Sequence, residues 1–194
     1  MCQAPLRAFP SMAQVSDQLL HLFARRWSIP ILAELKKSDG SKFVTLSRRL
    51  RASPASVRQS LDHLIALGLA QPNPGYGHPM RPEYILTEAG NAIGLASVAL
   101  DKAITRLELR ESALLRWSMP ALFIIGQSAP ARFSDIGGAL GPVTDRALAQ
   151  TLKKLQADEI VKRHIEDSFP PAPRYSVAAR GRPLLGPLAE IALL

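Results

Sequence analysis

The chain holds 194 residues, enough for one large domain or two small ones, and its 24 Lys and Arg against 16 Asp and Glu give a formal charge of +8 with a pI near 10.1. At 47% hydrophobic residues with interspersed charge it is no disordered basic tail, and its single Cys excludes an internal disulfide framework and any Cys-built zinc site. The most apolar stretch, Ala113 to Gly126, is broken by Arg116 and Pro120, short of the roughly 18 residues of a membrane span. Met1 to Pro10 carries no apolar run of signal-peptide length, so a cytoplasmic location and no membrane partner are expected.

In chain order, a leading helix over 15–25 is expected first. Ser28 then reads as an N-cap, with Ile29, Ile31, Leu32 and Leu35 forming an apolar face up to Lys36-Lys37. The loop Ser38-Asp39-Gly40-Ser41 precedes a short second helix, where Phe43, Leu46 and Leu50 fall at i, i+3 and i+7. After the Arg51-Ala52 turn, Ser53 caps a third helix with Pro54 at its first position and Val57, Leu61, Leu64 and Ile65 as its buried stripe. Gly68 ends it. Leu69 to Gln71 and Glu83 to Leu86 read as two strands around a Pro/Gly-rich loop.

From Glu88 to Arg116 nearly continuous helix is expected, with a bend possible at Gly94. The earlier pattern then recurs. Arg26-Trp27-Ser28-Ile29-Pro30 returns as Arg116-Trp117-Ser118-Met119-Pro120, and Phe43, Leu46 and Leu50 as Phe133, Ile136 and Leu140, 90 positions on. With one extra residue near Gly141, Val57, Gln59, Leu61, Leu64 and Leu69 match Leu148, Gln150, Leu152, Leu155 and Ile160, and Tyr84 and Gly90 match Tyr175 and Gly181. Thr144 is the N-cap of the second unit's third helix, and the ribbon follows over Ile160 to Ile165 and Arg174 to Val177. The order helix, helix, turn, helix, two-stranded ribbon is that of a winged helix-turn-helix. The expected fold is thus mainly α with small β-wings (α+β): tandem winged helix-turn-helix domains at 12–90 and 116–194, joined by a long central helix over 91–115.

Both halves are basic, with 11 basic and 6 acidic residues in 1–90 and 13 and 10 in 91–194, so both should face anions. His63, His78 and His164 fall in different elements without companion ligands, so no metal and no cofactor are expected. No Gly-rich phosphate loop, HExxH or nucleophile elbow is present, so no enzyme is expected.

The residues resemble the HxlR-type winged helix-turn-helix transcriptional regulators of bacteria. The resemblance is clearest in the second half, at Arg116-Trp117, at Arg132-Phe133-Ser134-Asp135-Ile136 and at Pro171-Ala172-Pro173-Arg174-Tyr175-Ser176-Val177; the first half shares Trp27, Phe43, Leu61, Gly68, Leu69, Tyr84, Leu86, Thr87 and Gly90. It implies a nucleoid-associated regulator of promoter or operator DNA, with RNA polymerase as a further candidate partner. Family members usually carry one unit and dimerise through their terminal helices, so two units in one chain read as a fused pseudo-dimer, monomeric or loosely dimeric. Some members sense oxidants through a Cys ahead of the Trp-bearing helix. Cys2, 25 residues before Trp27, does not imply this.

A reading helix puts its outward, amino-terminal side chains at base edges. In the first unit that face comprises Ala55, Ser56, Arg58, Gln59, Asp62 and His63, next to the cap Ser53; in the second it comprises Asp145, Arg146, Ala149, Gln150 and Lys153, with Lys154 beside it, next to Thr144. Gln pairs with adenine and Arg with guanine, which makes Gln59 and Gln150 first candidates, and their different flanks, Ser56 and Arg58 against Ala147 and Ala149, make an imperfect inverted repeat the expected target. Arg48, Arg49 and Arg51 are candidate phosphate contacts of the first unit, with Lys153, Lys154, Lys162 and Arg163 in that role in the second; His78 and Arg81 in one wing and His164 and Arg174 in the other are candidate wing contacts, with Glu166-Asp167 disfavouring phosphate at the second wing tip. Two alternatives are a tandem winged-helix scaffold for proteins and a ligand-responsive regulator with an apolar pocket lined by Trp27, Trp117 and Phe123.

Overall fold

Burial of apolar stripes organises the chain, as the computed structural model shows for residues 19–75, 82–128, 130–166 and 172–193. Cys2, His78, Arg81, Asp167 and Pro171, with residues 15–18 of the expected leading helix, lie outside the described residues. Helical residues 19–23 bring Leu19, Leu22 and Phe23 into the core. Helix α1, Ser28–Ser38, buries Ile29, Ile31, Leu32 and Leu35. Ser28 is not its cap. It is the first helical residue, with its hydroxyl buried and unpartnered, and Ser118 repeats this at the start of α6, Ser118–Gln127. The apolar residues that follow draw both serines inward, and that burial outweighs their capping preference.

Strand β1 (Ser41–Lys42) leads into α2 (Phe43–Leu50), then α3 (Pro54–Ala66), β2 (Ala70–Pro72) and β3 (Glu83–Leu86). The second half runs β4 (Ala131–Arg132), α7 (Phe133–Leu140), α8 (Asp145–Ala157), β5 (Val161–Glu166) and β6 (Ala172–Val177). Each ribbon is three-stranded where two strands were expected. The orders are β1-β3-β2 and β4-β6-β5, all antiparallel, with Ser41 opposite Tyr84 and Ala131 opposite Tyr175. Strands of two residues are too short to show alternation, and their pairing is set at long range.

The expected continuous helix over 88–116 is interrupted. Helix α4, Glu88–Arg106, closes at Leu107, Glu108 turns to φ +57, and α5 spans Arg110–Ala113. Leu109 donates its N–H back to Ile104 at 2.9 Å, the closure of a helix C-terminus. No Gly or Pro marks the break; burial of Leu109 and the ion pair of Arg110 with buried Asp101 at 3.0 Å support it. Asp101 also meets Lys37 at 3.3 Å, tying α1 to the turn. Gly94, the expected bend, lies inside α4.

Helix α4 packs against α1 and against the last helix, α9 (Arg182–Ala192), which itself packs on α6. One hydrophobic cluster runs from Leu19 to Ala192. Two contacts show reciprocal sizes. In the first half Lys36 of α1 lies over Gly94 of α4, where an added methyl would stand 2.9 Å from its Cδ; in the second, Gly126 of α6 lies under Leu185 of α9, 2.8 Å from such a methyl. Gly126 is the counterpart of Lys36 and Leu185 that of Gly94, so large and small have changed sides and the space stays filled.

Thr87 caps α4, accepting from Gly90 N–H at 3.0 Å and donating its hydroxyl to the Gly68 carbonyl at 2.6 Å. Its counterpart Ala178 has no hydroxyl. There a 3-10 turn over Ala179–Gly181 precedes α9.

Candidate nucleic-acid interface

The third helix of each half begins with a side-chain cap. Ser53 Oγ accepts from Ser56 N–H at 3.2 Å and donates to Ser56 Oγ at 2.8 Å; Thr144 Oγ1 accepts from Ala147 N–H at 3.3 Å. Pro54 at the start of α3 and Asp145 in the first turn of α8 suit the free N–H groups and positive dipole end there. Ser53, Thr144 and the half-buried Ser56 thus have local structural partners. Ser53→Ala and Thr144→Ala should each lower stability by about 1 kcal/mol, seen as a lower urea midpoint at unchanged slope.

Burial of Val57, Leu61 and Leu64 on α3, and of Leu148, Leu152 and Leu155 on α8, fixes what faces solvent. The outward row is Ala55, Gln59 and Asp62 on α3, and Arg146, Gln150 and Lys153 on α8, with Lys154 exposed beside it. The two rows differ in sign: where α8 has Arg146 and Lys153, α3 has Ala55 and Asp62.

Two residues expected on the first reading face are turned elsewhere. His63 is half-buried and its Nε2 donates to the carbonyl of His21 at 2.7 Å. Arg58 points to the wing, with its guanidinium 4.2 Å from the centre of the Phe43 ring and Nη1 donating to the Tyr84 hydroxyl at 2.9 Å. Neither contact is visible in sequence, since each partner lies 15 or more positions away.

Exposed cations also flank α3. Arg48 and Arg51 are exposed on α2 and its turn, while Arg49 is ion-paired with Glu34 of α1. Arg51 is left-handed, at φ +52, and its counterpart in the second half is Gly141, at φ +69. In α7, Gly137 and Gly138 stand where α2 has Ser47 and Arg48, and the exposed Lys42 before α2 is matched by Arg132, whose N–H is accepted by Asp135 at 3.2 Å. Lys42 and Arg132 are exposed cations that the helix-face reading passed over.

Lys162, Arg163 and His164 are exposed on β5. Arg174, opposite His164 on β6, is held by Glu166 through Nε at 2.9 Å and Nη2 at 2.8 Å, which neutralises both charges within the ribbon. Trp27 and Trp117 pack against the core with Arg26 and Arg116 over their rings at 5.7 and 4.6 Å, and Phe123 is buried in it. Among the described residues no group of three or more His, Cys, Asp or Glu could hold a metal, and no helix is long and apolar enough to cross a membrane.

Residues 115–193 match the model of the HxlR-like helix-turn-helix family. Over 76 residues the chain is 32% identical to an uncharacterized HTH-type transcriptional regulator of Halalkalibacterium halodurans, covering 39% of this chain and 67% of that protein. Over 91 residues it is 31% identical to the uncharacterized HTH-type transcriptional regulator YvaP of Bacillus subtilis, covering 47% of this chain and 78% of YvaP. Among solved structures, diamide-treated YodB from B. subtilis aligns with 43% of this chain and 86% of its own, at 24% identity and a TM-score of 0.35.

Proposed function

Since the chain belongs to the HxlR-like helix-turn-helix family of transcriptional regulators, we propose that it binds double-stranded DNA sequence-specifically through α3 and α8, two reading helices of a single chain. Each half acts as a winged helix-turn-helix, and the packing of α4 on α9 does within one chain what pairing of terminal helices does between two. The observation that carries this reading is the matched placement of Gln59 and Gln150, both exposed at the same point of a side-chain-capped helix. Glutamine at a major-groove edge pairs with adenine through two hydrogen bonds.

The halves divide the work unequally. α8 combines reading and charge through Arg146, Gln150, Lys153 and Lys154, and Lys162 and Arg163 add to it from the wing. The first half reads with Gln59 and grips phosphates with Arg48 and Arg51. Arginine in a left-handed turn costs on the order of 1 kcal/mol relative to glycine, and its presence at 51 fits a cation used at that place. The target is therefore an imperfect inverted repeat.

The test is selection of preferred duplexes from a random pool, followed by affinity measurements on Gln59→Ala and Gln150→Ala. Each variant should lose about tenfold on the selected duplex, concentrated at one base pair of its own half-site, and little on random DNA. A wild-type protein that binds selected and random duplexes equally would overturn the proposal.

A further inference from the structure

Arg58 stands on α3 one position before Gln59, yet its side chain reaches across to two other elements. The guanidinium lies on the face of Phe43, the first residue of α2, and donates to Tyr84 on β3. Tyr84 is 4% exposed and occupies the middle strand of its sheet, opposite Ser41 and Pro72. Asp62, one turn along α3, stands 4.0 Å from the same Nη1 on the solvent side of these contacts. Stacking on a ring while donating in plane is geometry that a flat guanidinium satisfies and an ammonium does not.

The second half keeps the aromatic partners, as Phe133 and Tyr175, but has Ala149 where Arg58 stands. There Arg174 and Glu166 join the ribbon's two long strands instead, without reaching the reading helix. Conventional reading-face assignment would give Arg58 to a guanine. Swinging out to do so would break the stack and leave the buried Tyr84 hydroxyl without this partner.

From this geometry we infer that Arg58 is a positioning residue, which clasps wing strand β3 and the start of α2 to the first reading helix so that Gln59 meets DNA with its wing already set. The inference rests on the DNA-binding reading above for its effect on affinity, but the clasp itself is a property of the free protein.

The test compares Arg58→Ala, Arg58→Lys, Tyr84→Phe and the Arg58→Ala/Tyr84→Phe pair. Amide hydrogen exchange of residues 83–86 is read without DNA, and affinity is read on a panel in which each base pair of the selected duplex is changed in turn. Loss of one hydrogen bond and one cation–π contact should speed exchange about tenfold in both Arg58 variants and lower affinity by a similar factor evenly across the panel. Tyr84→Phe should move both readouts less, in the same direction, and add nothing to Arg58→Ala. Unchanged exchange overturns the inference: with lost preference at one base pair, Arg58 reads a base; with an even loss restored by lysine, it holds a phosphate. If wild-type protein prefers no duplex, the DNA reading fails, and the exchange arm still decides the clasp.

Discussion

Gly90→Ala will lose about 3 kcal/mol or more of stability, the largest effect expected of any single methyl group in this protein. The added carbon would sit 1.9 Å from the carbonyl oxygen of Leu69, a backbone atom that already accepts the Thr87 N–H at 3.1 Å. Relief requires the start of α4 to back away from the end of α3, which breaks the Thr87 bonds and loosens α4 from α1. The gain in helix propensity, up to about 1 kcal/mol, is too small to offset this. Gly181→Ala, 2.5 Å from the Ile160 carbonyl oxygen, should act in the same direction and more weakly. Gly138→Ala is the control: nothing stands within 4 Å of the new methyl inside α7, so that variant should gain about 0.5–1 kcal/mol. Urea unfolding of the three proteins checks the ranking, and an unchanged midpoint for Gly90→Ala would mean that the close approach is not there.

Reversing two charges on α8, Arg146→Glu with Lys153→Glu, should weaken duplex binding by about 100-fold or more at low salt. Both residues are exposed on the outward row, so the change replaces two phosphate-attracting cations by two repelling anions without touching the core. The slope of affinity against salt should flatten by about two phosphate contacts. The opposite change is available in the first half. Asp62 holds the position of Lys153 but stands 4.0 Å from Arg58, so Asp62→Lys sets a new phosphate-attracting cation against a like charge beside the Arg58 contacts, and the expected result is a steeper salt slope on random duplexes. Titrations across salt concentrations check both, and equal slopes for wild type and the double reversal would remove α8 from the interface.

Legibility in the sequence followed the range of the interaction. Ser53-Pro54 and Thr144 announced the two third helices because a cap is chemistry between residues three apart, and the buried stripes of α3 and α8 were readable from helical spacing alone. Gln59 and Gln150 were placed outward for the same reason. Interactions across the fold gave no such signal. Strands β1 and β4 exist through pairing with β3 and β6, more than 40 positions away. The turn at Glu108 lacks Gly or Pro and depends on burial of Leu109 and on Asp101 meeting Arg110. Ser28 looked like a cap because serine preferences are local, whereas its position is decided by the core beneath it. Helical spacing alone puts Arg58 and His63 on the outward face of α3 and strand position alone puts Arg174 in the ribbon, while their partners Tyr84, His21 and Glu166 come from other positions in the chain.

Helix α4 is packed at once on α1 and on α9, so residues from both halves of the chain share one hydrophobic cluster. On the reading proposed above, the two probes arrive together by covalent linkage. Occupancy of a target then rises in simple proportion to the number of molecules, without the concentration threshold that assembly from separate subunits imposes. On the same reading each probe is free to diverge on its own, because a change in one is not copied into the other as it is in a homodimer.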